Sequence, residues 1–466
     1  MPAGTDPTDS SKQGLSMGIS SSLNAGVSGL NANANKLATI SDNIANSQTY
    51  GYKRADVDFS SLTVSDSRSP NTVGGGRWFT AGGVRTNAIW DIEAKGALTT
   101  TSNATDIALT GRGFLPVTSL ASVDGMTNAN LPFMLTTTGS FLPDANGYLR
   151  TPSGLVLMGW PADTNGTVAP QPRDSASGLM PVQINRSSVA VQATSTIDLN
   201  ANLPATETQE GSSGAMLPVT VEYFDNLGAS QTLSFQFTPT VAAAGDPQTN
   251  TWTLEIIDQA SGLSGGSYEV VFGDVPPNAG YPTSVTQTVA GTAPLSTSYD
   301  AATGDITLDL ANQTITVGVG STSGGPQHLS QLSSTFSPTG VTKDGNAAGT
   351  FTGVSIDENG YLYASYSSGF SKVIYQVPVV DVPNPNGLRV LDNQCFGLTN
   401  DAGSMFLWDA GSGPTGAVEG FAREQSTTDI AHELTQLIQT QRAYSSNAKI
   451  IQTVDEMLQE TTNLKR

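Results

Sequence analysis

The two ends of the chain carry the same spacing of apolar residues. Steps of four and three residues alternate, as in helices that pack lengthwise against each other. No Gly or Pro interrupts residues 421–466, so nothing breaks a long helix there. The first stripe comprises Leu23, Val27, Leu30, Ala34, Leu37, Ser41 and Ile44, and the second comprises Ile430, Leu434, Leu437, Gln441, Tyr444, Ala448, Ile451, Asp455 and Leu458. The pattern predicts one long helix at each end.

We expect these two helices to pair, because chain termini often lie close together. A lone helical pair projecting from a β body is marginal by itself. It gains stability when copies from neighbouring subunits pack around it, so we predict terminal helices that fold on assembly. The predicted assembly interface, with coiled-coil character, comprises Leu23, Val27, Leu30, Leu37, Ile44, Ile430, Leu434, Leu437, Tyr444, Ile451 and Leu458. For either stripe taken singly, the alternative is an ordinary core-facing helix.

The long interior alternates apolar and polar residues in short runs. Examples are residues 233–237, 252–256, 306–310 and 315–317. Each run would bury one face of a strand and leave the other in water. Clusters of Gly, Pro, Asn and Asp separate the runs and indicate turns. The fold class predicted is therefore mainly β with α-helical termini, in nested antiparallel barrels or sandwiches inserted between the end helices.

A short sequence motif that occurs twice indicates where the domains begin and end. Residues 144–149 and 357–362 both contain Asp-x-Asn-Gly-Tyr-Leu, and Asn-Gly favours a type I′ hairpin turn. The two copies flank a long acidic segment, which suggests one β domain inserted in another. The predicted domains are a disordered leader (1–16), a helical assembly core (17–62 with 420–466), a connector (63–90), an inner β domain (91–165 with 350–419) and an outer β domain (166–349).

Charge limits the possible partners. The formal net charge of the 466-residue chain is -20, and no Lys or Arg lies between Arg186 and Lys343. Such a surface repels phosphate backbones and anionic lipid headgroups. We therefore expect the chain neither to bind nucleic acid nor to insert into a membrane. No apolar run approaches the roughly 18–20 residues that span a bilayer. Residues 1–16 lack the apolar segment of a secretory signal peptide.

Residues with catalytic or metal-binding chemistry are few. Cys395 is the one cysteine and His328 and His432 are the two histidines; we expect a buried thiol and two surface polar groups. Neither Asp-x-Asn-Gly segment has the Gly and Glu that a calcium loop needs at its sixth and twelfth positions. We therefore predict no catalytic residue, no metal and no cofactor, although a carboxylate pair of a glycosidase stays open.

Two motifs at opposite ends resemble one known family. Residues 40–46 (ISDNIAN) and 49–54 (TYGYKR) are similar to the N-terminal signature of flagellar rod and hook proteins, as are residues 23–30. Residues 441–444 (QRAY), 447–451 (NAKII) and 455–458 (DEML) resemble the C-terminal helix of that family. The matching motif residues are Asn43, Ala45, Asn46, Gly51, Tyr52, Lys53 and Arg54.

The body resembles the hook members of this family. Residues 138–141, 147–149, 157–160, 366–369, 375–377 and 384–388 are similar to the hook inner domain, and 221–228 to the outer domain. The resemblance implies a non-enzymatic subunit that polymerises into an extracellular, bendable tube, a universal joint carrying motor torque to the filament. It implies type III export, a hook cap during assembly, and contacts with rod and hook–filament junction proteins. The alternatives are a distal rod subunit, a secreted β-rich adhesin and a glycan-cleaving enzyme.

Overall fold

The computed structural model describes residues 8–63, 81–125, 132–187, 189–310 and 312–463. The chain divides into two compact units. The first unit comprises Met1–Asn185, Val354–Tyr363 and Lys372–Arg466, and the second comprises Arg186–Gly353 and Ala364–Ser371. Strands dominate both units and long helices occupy the chain ends, which confirms the predicted fold class.

The described part of the first unit contains three α-helices: α1 (Thr8–Ala45), α2 (Leu120–Gly125) and α3 (Ile430–Asn463). Helix α1 begins well before residue 17, so residues 8–16 are helical instead of a disordered leader. Thr, Asp and Ser at positions 8–10 are residue types that favour a helix N-terminus, and the leader prediction overlooked them. Residues 1–7 of that leader lie outside the described residues.

Many short strands build the β part of the first unit. They are β1 (Ala55–Thr63), β2 (Ala81–Trp90), β3 (Leu98–Thr100), β4 (Asp106–Leu109), β5 (Leu115–Ser119), β6 (Met134–Thr136), β7 (Thr138–Ser140), β8 (Leu142–Pro143), β9 (Leu149–Arg150), β10 (Leu155–Pro161) and β11 (Met180–Pro181). Residues 55–63 and 81–90 pair as an antiparallel ribbon, so part of the predicted helical core and of the predicted connector is β. Residues 64–80 of the connector lie outside the described residues.

The second unit contains a further series of strands. They are β12 (Val189–Gln192), β13 (Thr196–Pro204), β14 (Leu217–Phe224), β15 (Ser230–Pro239), β16 (Thr251–Asp258), β17 (Leu263–Phe272), β18 (Pro282–Ala290), β19 (Ser296–Asp300), β20 (Asp305–Leu310), β21 (Gln313–Gly318), β22 (Leu329–Leu332) and β23 (Ser337–Lys343). Its first residue is Arg186, twenty positions after the predicted boundary. The observed boundary lies after the predicted one because β11 pairs with β10, and this pairing keeps residues 166–185 in the first unit.

The chain then returns to the first unit through β24 (Asn346–Ile356), β25 (Tyr361–Tyr366) and β26 (Ser371–Gln376), which contribute residues to both units. The remaining strands are β27 (Val379–Asp381), β28 (Arg389–Leu391), β29 (Cys395–Gly397), β30 (Phe406–Trp408), β31 (Val418–Gly420) and β32 (Ala422–Glu424). Strand β32 pairs with β3, and β31 pairs with β4. The inner β structure is thus closed by strands from the two ends of the chain.

Each unit has its own apolar core. In the first unit Trp160, Phe114 and Phe396 belong to one buried cluster. In the second unit a five-stranded antiparallel meander, β14 to β18, and a six-stranded sheet built around β13 share a core that contains Trp252 and Tyr268. Strand β13 pairs in parallel with β21 and β22, which departs from the predicted antiparallel topology because long crossovers connect these strands.

The predicted type I′ turns are wrong in detail. Asp144 N–H donates to Tyr148 O (3.0 Å) and Gly147 N–H donates to Asp144 O (3.1 Å), so three residues form the loop. Gly147 has φ +87°, whereas Asn146 is not among the residues with positive φ; a type I′ turn needs both. The same backbone hydrogen bonds recur in the loops that begin at Asp163, Asp225 and Asp357. They also occur without the aspartate in the loops that begin at Thr151 and Tyr366, so the repeated motif reflects a loop that occurs six times within the described residues.

Candidate assembly interface and the junction of the chain ends

The two terminal helices pack against each other. A β-carbon on Gly26 would lie 3.2 Å from Ile451 Cγ1, and one on Gly29 would lie 2.9 Å from Asn447 Nδ2. The order of these contacts along the two helices shows that α1 and α3 run antiparallel. The glycines weaken α1 as an isolated helix by about 1 kcal/mol each relative to alanine, but they let the helices approach closely.

The face of α3 that becomes buried is displaced from the predicted stripe. Glu433, Thr440 and Val454 are buried and Asn447 is half-buried. Their spacing of seven residues places them on one face of the helix. Each of them immediately precedes a residue of the predicted stripe. The displacement leaves part of the stripe on the open side of the helical pair.

The predicted interface residues accordingly fall into two groups. The exposed group retains about two-fifths or more of its accessible surface, and the other group is half-buried. The exposed residues are Val27 (43%), Ile430 (42%), Leu434 (47%), Tyr444 (41%) and Leu458 (39%); the half-buried ones are Leu23, Leu30, Leu37, Ile44, Leu437 and Ile451. Ile438, on the same helix, is 51% exposed. The chain thus carries an apolar helical surface that its described residues leave exposed.

The family-motif residues lie elsewhere, at the junction where α1 leaves the helical pair. Asn43 is buried, and its amide and carbonyl pair with the backbone of Ala55: Nδ2 donates to Ala55 O (2.7 Å) and Oδ1 accepts from Ala55 N–H (3.0 Å). Tyr52 OH also donates to Asn43 Oδ1 (3.0 Å) and lies 3.1 Å from Asp42 Oδ2. Burial and the Asp42 carboxylate raise the pKa of Tyr52. The Asn43 amide therefore fixes the start of β1 relative to α1.

The turn after α1 uses the other motif residues. Ala45 is the last residue of the helix and is exposed. Asn46 Nδ2 donates to Asp42 O (3.0 Å), and its Oδ1 accepts from Thr49 Oγ1 (3.2 Å). Gly51 has φ +72°, and its N–H donates to Glu424 O (2.8 Å). A glycine is favoured there because L side chains rarely adopt that conformation.

A buried ion pair joins the two ends of the chain. Lys53 Nζ donates to Glu424 Oε1 (2.7 Å), and the two side chains are 1% and 2% exposed. Lys53 also donates to Ala94 O (2.6 Å), and Glu424 Oε1 accepts from Gly96 N–H (2.8 Å). These additional hydrogen bonds compensate part of the desolvation cost of two buried charges. The pair connects residues 371 positions apart in the sequence.

A second ion pair lies beside the first. Arg54 Nε donates to Glu433 Oε1 (2.5 Å) at the start of α3, and Glu433 is fully buried. Arg54 N–H donates to Thr427 Oγ1 (2.8 Å). The sequence predicted Lys53 and Arg54 as motif residues but missed Glu424 and Glu433. No local pattern distinguishes these two glutamates, because what buries them comes from the other end of the chain.

Replacing Asn43 with alanine should destabilise the first unit. The change removes both hydrogen bonds to Ala55 and leaves a buried N–H and a buried carbonyl without their partner, at about 1–3 kcal/mol for each group. Urea unfolding of the purified chain would measure the loss. The exposed Asn31→Ala variant, on the same helix, should differ little from the parent. Equal unfolding midpoints for the two variants would contradict the role assigned to Asn43.

The remaining chemistry predicted from the sequence is limited. Cys395 is buried, as expected, and burial raises its pKa to about 12. His328 Nδ1 lies 3.2 Å from Asn200 Oδ1, and His432 Nε2 lies 2.8 Å from Gln436 Nε2. Each histidine thus has a side-chain amide as its neighbour, whereas the histidine of a catalytic triad is oriented by a carboxylate. Within the described residues, no group of three His, Cys, Asp or Glu side chains is arranged to hold a metal ion. Nor does any described helix combine the length and apolarity that crossing a membrane requires.

Comparison with known families matches the two chain ends to one class of protein. Residues 23–53 match the family described as flagella basal body rod protein, and residues 418–464 match the C-terminal family of flagellar basal body rod FlgEFG proteins. The first match covers much of α1 and the motif residues up to Lys53, and the second covers β31, β32 and α3. The chain is therefore similar at both ends to the axial proteins of the flagellum.

Full-length relatives identify the branch of that class. The flagellar hook protein FlgE of Rhizobium meliloti is 33% identical over 457 residues, which cover 97% of this chain and 100% of the relative. FlgE of Brucella suis biovar 1 is 30% identical with the same coverage. A crystal structure of Helicobacter pylori flagellar hook protein FlgE2 covers 69% of this chain and 99% of its own, at 14% identity and a TM-score of 0.46. The chain belongs to the flagellar hook protein family.

Proposed function

We propose that this chain polymerises through its terminal helices into the tubular hook of a bacterial flagellum. The observation that carries the proposal is the apolar surface of α3, where Ile430, Leu434 and Ile438 remain 42–51% exposed. Burial of such side chains stabilises an assembly by about 25 cal/mol per Å² of apolar surface removed from water. Neighbouring copies of the same chain provide that burial, in keeping with membership of the hook family.

The proposed role is structural and non-enzymatic. Charged side chains at the junction of the chain ends form ion pairs within the fold: Lys53 pairs with Glu424, and Arg54 pairs with Glu433. The Asp-x-x-Gly carboxylates accept backbone hydrogen bonds in their own loops, as Asp144 and Asp357 do. These groups stabilise a subunit whose task is to hold a shape and transmit torque.

The hook operates as a universal joint outside the cell, so its outer contacts must exchange as the tube bends. Contacts that slide should be polar and shallow, not dry and apolar. The second unit suits this requirement: Arg186 and Lys343 are its only arginine and lysine, and β18 exposes a run of Ser, Thr and Gln. The terminal helices, in contrast, fix the position of each subunit through apolar packing.

The proposed partners follow from the position of a hook between two other structures. The chain joins rod proteins at one end of the tube and hook–filament junction proteins at the other. During assembly it passes through the type III export apparatus and adds beneath a hook cap. The terminal helices, which serve assembly, are the segments through which these neighbours are expected to bind.

A distal rod subunit is the nearest alternative, because both ends of the chain match rod families. Two observations favour the hook. Hook proteins match along nearly the whole chain, and the second unit forms a separate domain with its own core. An adhesin or a glycan-cleaving enzyme would have no need for an uncovered helical face.

Electron microscopy of cells that lack this chain tests the proposal. We expect basal bodies with a rod and no hook, and hooks should return when the gene is restored from a plasmid. The control is a strain complemented with the empty plasmid. Cells that lack the chain and still build hooks of normal curvature would refute the proposal, whereas loss of the rod as well would favour the rod alternative.

A further inference from the structure

One row of side chains on α3 is bulky, apolar and uncovered. Ile430, Leu434 and Ile438 are spaced by four residues, so they lie on one face of the helix; we call them the open row. They are 42%, 47% and 51% exposed. Arg442, also exposed, continues the same spacing.

A row of small side chains on α1 is also uncovered. Val27, Ala34, Ala38 and Ala45 are spaced by seven, four and seven residues and are all exposed; we call them the small row. Asp42, which is exposed, lies next to it. The small row therefore presents a shallow surface with an acidic edge, whereas the open row presents large side chains followed by a basic residue.

The molecule itself shows how such rows fit together. Where α1 and α3 pack together, Ile451 and Asn447 of α3 lie against Gly26 and Gly29 of α1; we call this contact the α1–α3 seam. Small residues on one helix thus form the groove into which large residues on the other pack, as helix packing generally requires. An open-ended polymer of identical subunits also needs two different faces that complement each other, because a self-complementary face closes into a dimer.

We infer that the open row of one subunit packs on the small row of α1 in a neighbouring subunit, with Arg442 near Asp42. The inference rests on the proposed function and names the faces through which copies meet. The α1–α3 seam is thereby repeated between subunits, and each helical pair contributes one bulky face and one small face. Because the two faces are different, a subunit that has bound through one face still exposes the other. The next subunit can bind to that face, and the helical core of the tube continues to grow.

Thiol cross-linking in assembled hooks tests the pairing directly. Cells without the native gene would produce Ala38→Cys and Leu434→Cys chains together, and isolated hooks would be treated with a short bifunctional maleimide. We expect a covalent dimer from these hooks, and no dimer above the parent level from hooks of either variant alone. Cys395 is buried, so it should not react. Normal hooks that contain both variants and give no dimer would overturn the inference while leaving the proposed function intact.

A change of size gives a second test. Ala38→Trp should reduce the number of hooks per cell by about tenfold or more, because one overpacked contact recurs at every subunit. Ala244→Trp is the matched control, since Ala244 is exposed and lies in the second unit; it should leave hooks unchanged. Leu434→Ala should partly restore hooks to the Ala38→Trp chain. Purified Ala38→Trp chain that unfolds like the parent shows that the fold is intact, and parental hook numbers for this variant would contradict the inference.

Discussion

Replacing Lys53 with methionine should destabilise the first unit by about 3–5 kcal/mol, because it leaves the Glu424 carboxylate buried without its counter-ion. The side chains of this pair are 1% and 2% exposed, so water cannot replace the lost ammonium group. Urea unfolding followed by tryptophan fluorescence would measure the loss. In a background that carries Trp78→Phe and Trp252→Phe, the remaining tryptophans, Trp90, Trp160 and Trp408, belong to the first unit, so the signal reports that unit alone.

Two further variants separate the buried charge from a general effect of removing lysine. Lys372→Met removes a lysine whose hydrogen bond is exposed, and it should change the free energy of unfolding by less than about 0.5 kcal/mol. Adding Glu424→Leu to the Lys53→Met chain should recover part of the stability, since it removes the unpaired buried carboxylate, whereas Ala94 O and Gly96 N–H lack the hydrogen bonds that Lys53 and Glu424 make in the parent. A Lys53→Met chain as stable as the Lys372→Met chain would show that the ion pair does not hold the chain ends together.

The sequence predicted the terminal helices well because their signal is local. Apolar spacing, together with the absence of Gly and Pro after residue 421, was enough for α3, whose first residue is Ile430. The alternating run at residues 252–256 likewise corresponds to β16, whose residues are alternately buried. In both elements the pattern that forms the structure lies within about 30 consecutive residues, and side-chain periodicity reports it directly.

The orientation of α3 could not be predicted in the same way. Counting apolar residues favours the face with Leu434, whereas the buried face holds Glu433 and Thr440. Glu433 is buried because Arg54, 379 residues away in the sequence, neutralises it. A pattern of apolar residues cannot detect such a compensation, so the predicted stripe did not include Glu433 or Thr440. The same reason explains why Glu424 was missed.

The motif residues show a different limit. Their resemblance to a family identified Asn43, Gly51 and Lys53 without saying what they do. The structure shows that Asn43 pairs with the backbone of Ala55 and that Lys53 meets Glu424. The motif therefore joins the helical pair to the β body, and the surface proposed for assembly shares only the exposed Ala45 with it. We therefore expect mutations to separate the stability of the subunit from the assembly of the polymer.

Ending the chain after Gln436 should abolish hook assembly and leave the two ion pairs of the first unit in place. This truncation retains Glu424 and Glu433 and removes Thr440, Asn447 and Val454, which lie on the buried face of α3. Helix α1 then loses its antiparallel partner, and an isolated helical segment of this kind is marginal in water. Electron microscopy should find no hooks, while urea unfolding of the purified chain should show that the first unit remains cooperatively folded.

Two other truncations make this result specific to the helix. A chain that ends at Asn463 retains all of α3 and should build normal hooks. A chain that ends at Phe421 loses β32 and Glu424 as well, so it should fail to assemble and should also be less stable by about 3–5 kcal/mol, because Lys53 loses its buried counter-ion. Hooks of normal geometry from the chain ending at Gln436 would show that α3 is dispensable, since the ion pairs and the β body would then suffice for assembly.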